Sequence, residues 1–341
     1  MTPIVSILIP AYNVQPWIAE TLRSALAQTW PRKEIIVVDD GSRDQTLEIA
    51  KQFASESVSV VTQENGGGSA ARNKAFELCQ GEYIQWLDAD DLLGPDKIAK
   101  QMEKAEQCQS KRTVLSSAWG YFMYRPHRAR FIPTVLWGDL TPLEWLLLKW
   151  EHNVHMNPAT WLVSREVTQA AGPWNTRLMC GEDGEYFCRV LLASDGSRFV
   201  PEARVLYRAR ASSASYVGRS NKKMEALFLQ MQLEIGHLRS LDDGERTRAA
   251  CLRFLQTWLG HFYPDRLDIV KQAGELAAGL GGHLETPRLS WKYEWIQKLF
   301  GWGLARRAQL GLPGLRSSLA RSWDKAMFRI EERKSARVGL E

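Results

Sequence analysis

The amino-acid sequence predicts a doubly wound α/β protein with a mostly parallel central sheet flanked by helices, followed by an α-helical C-terminal extension. Short runs rich in β-branched residues alternate with helical patterns over the first hundred residues, which is typical of parallel sheets. Polar residues gather where these predicted strands end. After about residue 220 strand-like patterns disappear and amphipathic helical patterns continue.

The elements of the first half follow each other in strand–helix order. The helices begin at Pro16, at Asp44 as an N-terminal cap, and in a glycine-rich segment. Because parallel strands end at one edge of a sheet, the polar residues that follow them should line a single cleft. The predicted strands are VSILIP (5–10), EIIVVDD (34–40), VSVVTQ (58–63) and YIQWLD (83–88), and the helical segments between them are 16–28, 44–54 and 65–81.

The rest of the chain divides into two regions. Residues 113–215 mix strands with a helix, and we assign them with residues 1–112 to one domain, 1–215. Residues 216–341 form a helical, basic extension. The strand-like runs of the middle region are TVLSSAWGYFMY, ATWLVS and RFVPEARVLYR, and its helical run is GEDGEYFCRVLLAS.

Composition excludes several classes of protein. With 341 residues, 45% hydrophobic and 24% charged, the chain can bury a large core and is neither disordered nor fibrous. Its apolar runs are too short or too interrupted to span a bilayer, and no secretory signal is recognisable. Five scattered cysteines without paired spacing indicate reduced thiols. We therefore expect a cytoplasmic protein.

Positive charge is concentrated in the tail. Residues 288–341 contain 12 Lys and Arg against 5 Asp and Glu, a net +7, so the total of +5 leaves −2 for residues 1–287. This distribution argues against nucleic acid as a partner of the main domain.

The group DADD ends the fourth predicted strand. Asp88 and Asp90 are separated by one residue, so both can face a cleft and offer hard oxygen ligands to Mg²⁺ or Mn²⁺. An EF-hand loop is excluded, because Leu93 and Ala99 stand where it needs Gly and Glu. A solvated acidic turn is the alternative, and an aspartyl nucleophile is a more distant one.

A second acidic pair occurs in VVDDGSRDQT. We predict that Asp40, after a buried strand, contacts a ligand through its carboxylate. For Asp44 the turn and the helix cap are a sufficient explanation.

Four ordered segments, VSILIPAYNV, IIVVDDGSRDQT, NGGGSAARNKAF and GEYIQWLDADD, together resemble the family 2 inverting glycosyltransferases. The resemblance is strong over residues 4–98 and continues more weakly to 215. It implies the Rossmann-like GT-A fold, a nucleotide-binding half (1–112) and an acceptor and catalytic-base half (113–215).

The resemblance also implies which residues bind the donor. Tyr12 would lie near the base, Asp40 would accept a hydrogen bond from it, most often from uracil, and Arg72 would help to neutralise phosphate. For Asn73, packing of the helix start is an equal alternative. The implied nucleotide-binding residues are Pro10, Ala11, Tyr12, Asp40, Gly67, Arg72, Asn73 and Asp88.

The family's DXD motif and its catalytic base have counterparts here. In DAD, Asp90 would hold the Mg²⁺ or Mn²⁺ that bridges the diphosphate, and Asp88 would contact the ribose or metal-bound water. The resemblance makes Asp183 the base that deprotonates the acceptor, with Glu182 supporting it. Because a helix N-terminus favours the ionised carboxylate, we expect Asp183 to be a ready but weak base. An ordinary acidic first turn is the alternative.

Three residues near the end of the middle region are candidates to close over the diphosphate, with a solvated loop as the alternative. They are Arg208, Arg210 and Ser212.

The tail contains two basic segments with an apolar face, which predict either binding to an anionic membrane or packing on the main domain. Family members often act on lipid-linked or surface-polysaccharide acceptors. This favours peripheral association of 288–341 with the inner face of the cytoplasmic membrane. The first face is Trp291, Trp295, Leu299 and Trp302 beside Lys292, Lys298, Arg306 and Arg307, and the second is Leu319, Trp323, Met327 and Ile330 beside Arg316, Arg321, Lys325 and Arg329.

Taken with the resemblance, these features predict a metal-dependent inverting glycosyltransferase. It would move a sugar from a nucleotide-sugar donor, most often UDP-linked, to a hydroxyl of a glycan, polysaccharide or glycolipid. The alternatives are a non-catalytic sugar-nucleotide-binding protein, which the intact DAD and ED disfavour, and a nucleotidyltransferase, which would release pyrophosphate.

Overall fold

A computed structural model describes residues 2–210, 220–287 and 290–338. Within them the strands are β1 (Val5–Ala11), β2 (Lys33–Asp39), β3 (Val58–Thr62), β4 (Tyr83–Trp86), β5 (Leu92–Leu93), β6 (Val114–Phe122), β7 (Arg130–Phe131), β8 (Val163–Ser164) and β9 (Ser197–Arg208). The helices are α1 (Ile18–Leu26), α2 (Thr46–Lys51), α3 (Gly68–Leu78), α4 (Lys97–Gln107), α5 (Pro142–Glu151), α6 (Arg165–Ala171), α7 (Glu182–Leu192), α8 (Asn221–Leu241), α9 (Glu245–Trp258), α10 (Leu267–Gly279) and α11 (Glu294–Val338).

The larger sheet is the predicted one. Its order is β3–β2–β1–β4–β8, and its strands run parallel except β8, which pairs antiparallel with β4. β1 is central because its apolar residues are buried on both faces. The register sets Ala11 beside Asp39 and Leu8 beside Trp86, so three strands end at one edge. The single predicted cleft is formed there.

A smaller sheet, in the order β5–β9–β6–β7, closes one side of this cleft. Leu92 of β5 pairs with Leu206 of β9. This pairing brings the end of β9 next to the DADD group that precedes β5.

Two local predictions need correction. Gln45, not Asp44, is the N-cap of α2, because Asp44 lies one residue earlier and accepts from Thr46 N at 3.0 Å and Gln15 N at 3.1 Å. The run ATWLVS is only partly a strand: it begins in the 3₁₀ turn Pro158–Thr160, where proline fixes φ, and only Val163–Ser164 pairs.

The helices after residue 220 share the core of the main domain. Trp150 of α5 stacks on Phe254 of α9 with ring centroids 4.7 Å apart. The predicted boundary at residue 215 lies outside the described residues. Of the helices that the structure describes, none is long and apolar enough to cross a bilayer.

The first predicted face of the tail is interrupted. Gly301 adopts a φ of +81° and breaks α11, so Trp302 turns to Tyr263, with ring centroids 4.9 Å apart. Trp295 and Leu299 remain 58% and 70% exposed. The predicted single face is therefore wrong at Trp302, because the kink separates it from the preceding turns. The side chains of Arg306, Arg307, Arg316 and Leu319 lie outside the described ones.

The end of α11 packs on the main domain. Arg125 contacts Asp324 at 2.8 Å and Glu331 at 3.0 Å, and the rings of Tyr124 and Phe328 lie 6.3 Å apart. This end of the helix packs through Asp324, Phe328 and Glu331, whereas Trp323 and Ile330 of the predicted apolar face are 67% and 45% exposed, so both alternatives for that face stay predictions.

Candidate active site

The edge of the cleft begins with the loop after β1. Pro10 and Ala11 end the strand, and Tyr12 follows with 45% of its surface exposed. Asn13 has a positive φ of 49°, and its side-chain oxygen accepts from Arg43 N at 2.8 Å. This bond ties the loops after β1 and β2 together and leaves the ring of Tyr12 accessible to a ligand.

The carboxylate of Asp40 holds the glycine-rich segment. Its Oδ1 accepts from Gln63 Nε2 at 2.8 Å and Gly66 N at 2.9 Å, and its Oδ2 accepts from Gly67 N at 2.8 Å. Gly67 caps α3 with a φ of 86°, which favours glycine. Asp40 therefore has a structural role, and its contact with a base stays a prediction.

Asp39, the last residue of β2, is a site residue that sequence reasoning does not single out. Its Oδ2 accepts from Thr62 Oγ1 at 2.9 Å, but its buried Oδ1 has no partner among the described residues. A buried oxygen without a donor is costly. Asp39 is thus better suited than Asp40 to accept a hydrogen bond from a ligand. In the sequence, the only feature that points to Asp39 is its position at the end of a strand.

Arg72 joins two acidic motifs that are distant in sequence. Its Nη2 lies 2.8 Å from Asp88 Oδ1 and its Nη1 lies 3.1 Å from Glu182 Oε1. The guanidinium lies 4.5 Å from the ring centroid of Trp174, a cation–π contact. Burial alone would lower the pKa of Arg72, but the two carboxylates raise it. The predicted DAD and ED motifs therefore meet through this arginine.

Asn73 serves the fold. Its Nδ2 donates to Trp174 O at 2.9 Å and its Oδ1 accepts from Trp174 N at 2.8 Å. Both ends of the amide are occupied by one backbone residue. These bonds agree with the packing alternative for Asn73, and its contact with the nucleotide stays a prediction.

The carboxylates of the DADD group are crowded. Asp90 Oδ2 lies 2.5 Å from Arg210 Nε. Burial raises the pKa of Asp90 to about 6, and Asp88 adds to this rise while Arg210 opposes it. The pKa of the fully buried Asp91 lies well above its ordinary value, because burial and the two neighbouring carboxylates disfavour its charge. A further cation beside these carboxylates would favour their charged forms.

Arg208 does not close over a ligand. It is buried: its Nε donates to Asp90 O at 2.8 Å and its Nη2 contacts Glu20 Oε2 at 2.6 Å. It thus supports the acidic loop from inside the fold, which corrects the prediction. Arg210 is partly exposed at the cleft, and Ser212 lies outside the described residues.

Asp88 and Asp90 fit a hard divalent cation. Their side chains are 31% and 12% exposed, and both offer carboxylate oxygens. No group of three or more His, Cys, Asp or Glu in the described ranges is arranged to hold a metal by itself. The protein would supply these two carboxylates, while a phosphate-bearing ligand and water would complete the shell. Arg210 would then have to release Asp90.

Asp183 lies in the first turn of α7. No hydrogen bond reaches its carboxylate from the part of the chain that the structure describes. Burial raises its pKa to about 6, Glu182 raises it further, and Lys149 and Arg72 oppose the rise. This rise in the pKa of Asp183 is opposite in direction to the effect expected from a helix N-terminus alone. A carboxylate of this pKa can take up a proton near neutral pH.

The chain is similar to known glycosyltransferases. The family model described as Glycosyl transferase family 2 matches residues 6–168. The glycosyltransferase EpsJ of Bacillus subtilis (strain 168) is 30% identical over 243 residues, which cover 69% of this chain and 70% of EpsJ. TuaG of the same organism, named for teichuronic acid biosynthesis, is 44% identical over 104 residues, 30% of this chain and 41% of TuaG.

Solved structures show the same fold. The crystal structure of S. aureus TarS in complex with UDP-GlcNAc matches with a TM-score of 0.64 and 19% identity, over 81% of each chain. At this identity the likeness concerns the fold alone, and it confirms the predicted GT-A architecture. With EpsJ matched over more than two thirds of both chains, the protein belongs to glycosyl transferase family 2 and is a glycosyltransferase.

Proposed function

We propose that the protein moves a sugar from a UDP-sugar to a hydroxyl of a glycan, polysaccharide or glycolipid, with inversion and with a divalent cation. The observation that carries the proposal is the bridge of Arg72 between Asp88 and Glu182. It brings the residues proposed for the diphosphate next to the turn of Asp183. Direct transfer needs a donor site and a base in one cleft.

Asp183 is the proposed base. Its carboxylate accepts the proton of the acceptor hydroxyl while that oxygen forms a bond to the anomeric carbon. The bond from this carbon to the diphosphate oxygen breaks, and the nucleoside diphosphate leaves with the electron pair. Attack from the face opposite the leaving group inverts the configuration. Glu182 supports the base by holding Arg72.

Asp88 and Asp90 are the proposed ligands of Mg²⁺ or Mn²⁺. When bound, the cation would offset the charge of the departing diphosphate. Tyr12 and Asp39 are proposed to contact the base. TarS, a fold neighbour crystallised with UDP-GlcNAc, supports a UDP-linked donor, and the name of TuaG supports a polysaccharide acceptor.

Binding of UDP should require both the cation and Asp90. In calorimetric titrations with Mn²⁺, we expect Asp90→Asn to weaken UDP binding by at least about tenfold, or ~1.4 kcal/mol. The physical reason is the loss of one of two carboxylates that hold the ion between protein and diphosphate. Without Mn²⁺ the native chain should bind as weakly as the variant.

The control for this titration is Asp96→Asn. Asp96 is an exposed acid at the start of α4. The Asp96→Asn variant should therefore bind UDP with the affinity of the native chain. Equal UDP affinity with and without Mn²⁺ would contradict the metal site. Absence of UDP binding under all conditions would contradict the choice of nucleotide.

We also propose that the beginning of α11 binds the inner face of the cytoplasmic membrane. Trp295, Leu299 and Phe300 of α11, and Trp291 just before it, are 58% to 74% exposed. Residues 288–341 carry the net charge of +7 derived above. Exposed tryptophans on a basic helix are suited to an anionic lipid surface.

The double change Trp295→Ser and Leu299→Ser should reduce co-sedimentation with anionic vesicles severalfold. It removes apolar surface that would enter the interface, and added salt should weaken the remaining binding. Leu267→Ser is the matched control, because Leu267 is 59% exposed on α10, outside this segment. The proposal is wrong if the native chain stays in the supernatant.

A further inference from the structure

The turn that carries Asp183 is flanked by two glycines. Gly181 has a φ of +68°, and a Cβ there would overlap the side chain of Gln230 on α8. A Cβ at Gly184 would overlap Glu234 Oε1, one helical turn further along α8. No side chain fits at either position without a shift. The side-chain ends of Gln230 and Glu234 on α8 therefore lie against the backbone on both sides of the proposed base.

A buried ion pair lies at this contact. Lys149 Nζ of α5 is 3.0 Å from Glu234 Oε2, and Gln230 Nε2 donates to the other Glu234 oxygen at 2.6 Å. The Glu234 side chain is fully buried and that of Lys149 is 13% exposed. A Cβ at Gly184 would lie 3.3 Å from the ammonium, so the charge of Lys149 lies against the turn.

Stability alone does not explain this pair, since well-packed apolar residues of similar volume are often at least as stabilising as a buried ion pair. The charge of Lys149 also acts on Asp183. Lys149 opposes the rise in the pKa of Asp183 that burial and Glu182 cause. Burial alone would lower the pKa of Lys149, but Glu234 holds it above its ordinary value, so the lysine keeps its charge.

We propose that Lys149 and Glu234 are positioning residues for the base: together they hold the turn of Asp183 and set the positive charge that it faces. The inference rests on the role proposed for Asp183. It makes α8, part of the helical region beyond residue 220, a component of the active site.

Asp183 faces charged or titratable groups from several elements, so an informative test changes one and keeps the others. These groups are Glu182 on α7, Cys180 just before α7, Asp88 after β4, Arg72 on α3 and Lys149 on α5, with Cys188 of α7 and Glu234 of α8 next to Lys149.

The ionisation of Asp183 can be followed without donor or acceptor. NMR of protein labelled with ¹³C at the aspartate carboxyl carbons gives its titration midpoint, and the signal is the one missing from Asp183→Asn. In the native chain we expect a midpoint of about 6. Glu234→Gln removes a negative charge beside Lys149, while Asp183 still favours the charged lysine, so the midpoint of Asp183 should fall by about one pH unit.

A second variant protects the test against misfolding. Lys149→Met with Glu234→Leu replaces the ion pair by an apolar pair that can pack in the same space. Removal of the positive charge should raise the midpoint of Asp183 by about half a unit or more. The pH dependence of transfer should move in the same direction in each variant.

Glu185→Gln is the matched control. Glu185 is a buried carboxylate of the same helix, bonded to Arg189 and to His237 of α8, and its replacement should leave the midpoint of Asp183 in place. If Lys149 and Glu234 only pack, the two variants should be less stable, but the midpoint of Asp183 should not move in opposite directions in them. Midpoints within about 0.2 units of the native value in both variants would overturn the inference. Transfer that survives Asp183→Asn would refute the proposed base, while the shifts would still test the coupling.

Discussion

Replacement of Asp183 by Asn should lower the rate of sugar transfer by about 10³-fold, a rise of ~4 kcal/mol in the barrier. Asn keeps the size of the side chain but cannot accept the acceptor proton at neutral pH. No described residue bonds to this carboxylate, so the fold should tolerate the change. Binding of UDP in the presence of Mn²⁺ should stay as in the native chain, because the role proposed for Asp183 concerns the acceptor.

The proposed base also predicts how the transfer rate of the native chain depends on pH. The base must be ionised to act, and its pKa is raised to about 6. Transfer should therefore fall about tenfold for each pH unit below 6 and level off above it. Release of UDP from a panel of UDP-sugars, with a membrane extract as the source of acceptor, measures both effects.

The control is again Asp96→Asn, which replaces an exposed acid at the start of another helix. It tests the simpler interpretation, that an acidic first turn only stabilises its helix. Unchanged transfer in Asp183→Asn would refute the assignment of the base, whereas loss of both transfer and UDP binding would indicate damage to the whole cleft.

The strands and the cleft could be predicted from the sequence because they depend on local patterns. The run in Val5–Ala11 is apolar except for Ser6 and is almost entirely buried, as expected for a strand covered on both faces. Parallel neighbours then place their carboxyl ends together, which brought Tyr12, Asp40 and Asp88 to one edge.

The roles of single polar side chains could not be predicted, because they depend on partners far away in sequence. The bond of Asn73 could not be predicted without the position of Trp174, and the burial of Arg208 could not be predicted without the position of Glu20. The break at Gly301 depends on one backbone angle that the apolar pattern of the tail does not reveal.

The substitution Arg72→Met should reduce both stability and transfer. It leaves the partly buried carboxylates of Asp88 and Glu182 unpaired, which should cost about 2–4 kcal/mol in the free energy of unfolding. Because Arg72 opposes the rise in the pKa of Asp183, its loss should also move the acid limb of the rate profile to higher pH. Urea denaturation and the pH profile of transfer measure the two effects.

Arg72→Lys separates a bridging role from simple attraction of phosphate. Lysine keeps the charge but presents a single ammonium, whereas the guanidinium uses separate nitrogens for Asp88 and Glu182. If Arg72 bridges the two motifs, Arg72→Lys should regain most of the stability, bind UDP nearly as the native chain does, and still transfer about tenfold more slowly.

The matched control for this series is Arg165→Lys. Arg165 also lies over an aromatic ring, Phe76, and donates to the backbone oxygens of Cys79 and Gly81 at the opposite edge of the sheet. The Arg165→Lys variant measures how much stability is lost when a stacked arginine outside the cleft is replaced by lysine. If Arg72→Lys affects UDP affinity and leaves the rate at saturating donor unchanged, Arg72 is a phosphate ligand alone. A slower rate at full donor occupancy instead means that the two acidic motifs must be held together for the base to reach the acceptor.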